Sequence, residues 1–168
     1  AADNTAVGYK ALQDTSTGVN NTAVGSNALR ENTTASANTA VGMDALYTNT
    51  TGSSNTAVGK DALRLNATTS NNTAVGQSAL NVNVASNNTA VGRNTLVANT
   101  SGTGNDGLGT TALTSNTTGS YNVGLGFQSM YNNTTASNNT AVGHAAMFNS
   151  NGGNNVALGY EALKANTT

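Results

Sequence analysis

The chain repeats itself with a short, regular period. The string Asn-Thr-Ala-Val-Gly begins at Asn4, Asn21, Asn38, Asn55, Asn72, Asn88 and Asn139, with looser versions at Asn105, Asn122 and Asn155. Successive starts lie 17 residues apart, except after Asn72 and Asn139, where the step is 16. A unit this short cannot enclose a core of its own. It becomes stable only against its neighbours, so ten units in register predict a stacked array in which each contacts the next. Disorder is the competing reading of a polar, low-complexity chain, but a disordered tract has no reason to hold apolar residues at fixed positions through ten units.

Numbering each starting Asn as position 0 separates the columns. The Asn at position 0 and the Gly at position 4 (Gly8, Gly25, Gly42, Gly59, Gly76, Gly92, Gly109, Gly126, Gly143 and Gly159) occur in every unit. Position 3 is Val or Leu and position 8 is Leu or Met, and these two columns are the expected apolar core. Position 7 is Ala except at Thr95 and Ser129, as where two layers approach closely. A second Asn column stands at position 11, broken by Thr15 and Ser150. Two Asn columns predict two corners, because Asn tolerates left-handed backbone and bonds its own turn. In a stack its amide also bonds the identical amide one rung away, whereas Asp would stack like charges. The 16-residue units lose their residue within Val84-Ala85-Ser86-Asn87 and Asn151-Gly152-Gly153-Asn154. A loop is expected there, since a deletion within a strand turns every later side chain to the opposite face.

One Gly and two Asn corners in 17 residues leave no room for the two helices of a helical repeat. The expectation is therefore an all-β fold: a parallel β-solenoid of ten rungs, forming one array over residues 1–168. In Thr-Ala-Val, positions 1 and 3 share a face, and alternation is expected to put that face inward, with Val123 and Val156 in place of Thr agreeing. Of the six basic and seven acidic residues, all but Asp3 and Asp106 fall at positions 5, 6, 9 and 10, which marks those columns as the outside. They also carry Tyr9, Tyr47, Phe127, Tyr131, Phe148 and Tyr160, so whatever the solenoid recognises is expected to meet them.

Composition narrows the function classes. Charged residues make up 8% of the chain, against about a quarter in an ordinary domain. A net charge of -1 sets nucleic acid aside as a partner. There is no Cys, hence no disulfide and no Cys-based zinc site. Apolar runs are only a few residues long, which argues against membrane insertion, and Ala1-Ala2-Asp3 has neither the basic region nor the apolar stretch of a signal peptide. The two ends are in phase, since Asn166-Thr167-Thr168 followed by Ala1-Ala2-Asp3 would restore a 17-residue step. That predicts a section of a continuous array, or copies stacked head to tail.

The units NTAVGSNAL (Asn21 to Leu29) and NTAVGKDAL (Asn55 to Leu63), joined by NTT-type linkers, resemble the repeats of bacterial and phage tail-fibre-domain proteins. They are also similar to the shorter head repeats of trimeric autotransporter adhesins. The resemblance covers the whole chain. It implies a parallel β-roll or solenoid, commonly homotrimeric, projecting from a virion or cell surface. Packing of the Ala columns of neighbouring chains is the expected contact in such a trimer.

No residues gather as a catalytic site, and neither an enzyme nor a cofactor is expected. His144 is the sole histidine and sits at outward position 5, where it reads as a surface residue. The Gly-rich run Gly102 to Gly109 lacks the lysine and helix of a phosphate loop and reads as a rung in which Asp106 replaces Thr and Gly107 replaces Ala. A lone carboxylate such as Asp106 rarely suffices to hold a cation. Asn20, Asn32, Asn49, Asn66, Asn99 and Asn116 head glycosylation sequons, which corners rich in Asn and Thr generate automatically. The expected function is a structural or adhesive segment of an extracellular fibre, on a cell surface or virion, with copies of itself as partners and a surface glycan as a further one. The alternative is a ligand-binding solenoid, for ice or surface glycans. A Thr-rich solenoid would bind ice with its position-1 Thr column turned outward and unbroken, whereas the alternation reading places that column inward and Asp106, Val123 and Val156 interrupt it.

Overall fold

The computed structural model describes residues 2–166. Ten three-residue strands form one parallel sheet in chain order: β1 (Thr5–Val7), β2 (Thr22–Val24), β3 (Thr39–Val41), β4 (Thr56–Val58), β5 (Thr73–Val75), β6 (Thr89–Val91), β7 (Asp106–Leu108), β8 (Val123–Leu125), β9 (Thr140–Val142) and β10 (Val156–Leu158). Like residues pair across each step, as in Thr39↔Thr56 and Val41↔Val58. The fold is therefore the expected parallel β-solenoid, with no helix among the described residues. The shortened rungs keep the strands in phase, with Thr73 opposite Thr89 and Thr140 opposite Val156, so the loops absorb both deletions.

Strands account for a small part of each rung, yet hydrogen bonding between rungs continues around the perimeter. The Leu29 N–H donates to the Ala45 carbonyl at 3.0 Å, that of Thr33 to Thr50 at 3.1 Å, and that of Ala37 back to Val19 at 3.0 Å. The turns thus extend the ladder of the strands, and the stack satisfies backbone groups that an isolated rung would leave to water.

The turns are made by left-handed residues at positions 6, 8 and 16, for example Asp44 (φ 57°), Leu46 (φ 50°) and Ala37 (φ 58°). The two Asn columns do not adopt this conformation, contrary to the corner role expected of their backbones. Their contribution is made by side-chain amides inside the rung. A left-handed Leu costs roughly 1–2 kcal/mol, a strain that burial of its side chain and its rung-to-rung bonds offset. At position 4 the glycine is required twice over: Gly59 has φ +136°, and a Cβ there would stand 2.6 Å from the Gly76 carbonyl oxygen.

The strand phase is the reverse of the one expected. Ala23, Ala40, Ala57, Ala74 and Ala90 at position 2 are fully buried, while Thr and Val at positions 1 and 3 face outward and Val41 is 36% exposed. Alternation holds, but the buried Asn at position 0 sets its phase. Its amide must turn inward, so position 2 turns inward and positions 1 and 3 turn out. The core is consequently thin: Ala at positions 2 and 7, and one Leu or Met per rung at position 8, such as Leu29, Leu46, Leu63 and Met130. Position 8 is the expected core column, whereas the Val column belongs to the surface. Burial of the position-7 alanines also closes the expected packing of Ala columns between chains.

Candidate interaction surface

The conserved geometry of the rung lies inside and serves the stack. At position 0, Asn38 donates through Nδ2 to the Gly52 carbonyl of its own rung (2.9 Å), and its Oδ1 accepts from the Asn55 backbone N–H of the next rung (2.9 Å). At position 11 the amides bond one another: Asn116 to Asn99 at 2.9 Å and Asn133 to Asn116 at 2.8 Å. Each also holds a carbonyl of its own turn, as Asn116 does Gly119 at 2.9 Å. The sequon residues Asn32, Asn49, Asn66, Asn99 and Asn116 belong to this buried ladder, so an oligosaccharide on any of them requires the rung to be open. Asn20, at position 16, is exposed.

Positions 5 and 9 line up along the outside, as their charge content indicates. Phe127, His144 and Tyr160 form a continuous stack at position 5, with ring centroids 5.4 and 5.2 Å apart. Tyr131 and Phe148 stack at position 9, 5.1 Å apart. Arg30 and Arg64 flank the Tyr47 ring at 5.3 and 5.5 Å. These rings spend their faces on their neighbours and leave mainly edges outward, so they are poor platforms for stacking a sugar. Lys164 donates to Glu161 at 2.7 Å, which holds that carboxyl below its ordinary range and raises the lysine. Both groups are open to solvent.

The largest regular surface is the outer face of the sheet. It carries two columns, Thr and Val, through β1 to β6. Leucine replaces the valine on β7, β8 and β10, beside Asp106, Val123 and Val156 respectively, while β9 returns to Thr140 and Val142. A shallow apolar depression lies there, lined by Thr89, Asp106, Leu108, Val123 and Leu125 over the backbone of Gly107 and Gly124. These glycines answer larger residues at position 7. A Cβ on Gly107 would meet Thr95 Cγ2 at 2.6 Å, and one on Gly124 would meet Ser129 Oγ at 3.1 Å. Asp106 and Gly107 pair with Thr89 and Ala90, which places the Gly-rich run in the array as an ordinary rung.

Reading the sequence for an outer surface found the charged columns and missed this face. The signal was present in the parity of the inward Asn and in the Gly substitutions at position 2. Among the described residues, no group of three or more His, Asp or Glu is placed to hold a metal ion, and no helix is long and apolar enough to cross a membrane. Comparison of the chain with family models, curated proteins and solved structures finds no match.

Proposed function

We propose that this chain is a structural and adhesive segment of an extracellular fibre, displayed on a cell surface or virion. The observation that supports this reading best is the continuity of bonding from rung to rung, in which backbone ladders and two buried amide columns run along the axis. Ten rungs rising about 4.8 Å each give a stiff element roughly 50 Å long, whose length is set by the number of repeats. The amide ladders are indifferent to the outer residues, so positions 5, 6, 9 and 10 are free to vary without disturbing the stack.

Copies of the chain are its proposed partners. Every rung presents the same bonding pattern to the next, a head-to-tail interface that extends without closing. The resemblance to tail-fibre and adhesin repeats adds side-by-side assembly, commonly of three chains. Electron microscopy of the purified chain, with mass from light scattering, tests the proposal. Rods or filaments of uniform width are expected. Flexible coils, or compact particles without an axis, would overturn it.

A further inference from the structure

Six successive rungs of the sheet face are alike. Thr5, Thr22, Thr39, Thr56, Thr73 and Thr89 stand in one column, and a valine follows two residues later on the same face of each strand. Val41, Val58 and Val75 are each 36% exposed, so successive rungs repeat the same side-chain setting. Spacing along the axis is about 4.8 Å, and between the Thr and Val columns about 6.7 Å. None of these positions is charged; the first charge in the column is Asp106, on β7.

The threonines of this column also differ from those of the turns. The hydroxyls of Thr33, Thr50 and Thr117 donate to carbonyls of the next rung, each at 3.0 Å. Among the described residues, the six strand-face hydroxyls have no protein partner. They are left to solvent at a spacing set by the backbone ladder, beside exposed valines that offer no hydrogen bond. Water bonded to such a column would stand in rows about 4.8 Å apart, close to the oxygen repeat along the a axis of hexagonal ice.

We propose that the six-rung Thr-Val face binds the surface of crystalline ice. A second copy of the chain is the rival occupant, and area argues against it. Six strands of three residues present roughly 300 Å², well short of the about 800 Å² per partner of a standard stable interface. A protein cover would also bury six hydroxyls that must find new partners. A flat lattice of water meets them all at once. The inference names a ligand for the adhesive role proposed above and rests on that reading only for where the chain is displayed. Adsorption to ice and assembly into rods are measured separately.

The test is uptake of the fluorescently labelled chain into a slowly growing ice hemisphere, with thermal hysteresis measured on the same material. The wild-type chain is expected to enter the ice and depress the freezing point below the melting point. Thr56→Tyr, at the centre of the face, should lose both effects. Thr51→Tyr, on an exposed turn position, should keep both. If Thr56→Tyr fails to melt cooperatively by circular dichroism, Thr56→Val with Thr73→Val removes only hydroxyls and should reduce uptake. Exclusion of the wild-type chain from ice overturns the proposal, as does full uptake of a folded face variant. Exclusion together with an oligomer that Thr56→Tyr dissociates makes a second copy the occupant.

Discussion

At the scale of single residues, stability rests on positions where one atom too many or one donor too few is felt by the next rung. Gly59→Ala adds a methyl against the Gly76 carbonyl at a φ that disfavours any side chain. It should cost roughly 3 kcal/mol or more, read as a fall in denaturation midpoint. Asn116 donates to Asn99 Oδ1 and to the Gly119 carbonyl, so Asn116→Asp turns a carboxylate toward two acceptors in a buried site. The folded-state pKa of the new carboxyl must rise. The destabilisation should therefore be greatest above the raised pKa and shrink as pH falls through it towards about 4, below which the acid is protonated in both states and no further change follows. Melting curves across that range check the sign. The ladder has a natural break where Ser150 is too short to continue it, and Asn133 Oδ1 and Ser150 Oγ are both buried without a partner. Ser150→Asn should restore the bond and raise stability by about 1 kcal/mol.

Within a rung, strand and loop differ in how they tolerate a change of length. The fifth rung, Asn72 to Asn87, is one residue shorter than its neighbours, yet β5 and β6 stay paired in register. Deleting Thr51 should reproduce this in the third rung and leave cooperative melting intact. Deleting Ala57 removes the inward residue of β4 and sends a valine into a position that is only Ala or Gly along the sheet. That chain should lose its cooperative transition. Circular dichroism melts of the two deletions, made at equal chain length, separate the effect of phase from that of length.

For the molecule as a whole, stability is shared among nearest neighbours and owes little to ionisation. Every strand pairs only with the rungs beside it, and the buried polar residues are Asn, Thr and Ser, with no ionisable side chain among them. Glu161 is lowered by its bond from Lys164, so its contribution is present above the ordinary carboxylate range and fades on acidification. Lys164 is raised, and its contribution fades only in strong alkali. Neither change falls between about pH 6 and 9, so the melting temperature should be nearly flat across that window. A pronounced slope there would contradict a core held by neutral amides.

The period of Asn and Gly determined the class of fold by itself, because a 17-residue unit with one Gly and two Asn columns leaves only stacked strands. It also located the Leu column, the loops that absorb the missing residues and the charged outer positions. Periodicity names the residues that share a face; it does not say which face is buried. That was decided in three dimensions, where the position-0 amide has to reach a carbonyl of its own rung and the backbone N–H of the next, and so must point inward. The valines are carried outward with the threonines as a result. Alanine fills the sheet side of a narrow rung whose larger core residue is the Leu or Met of position 8, and the Thr and Val columns form the outer face of the sheet.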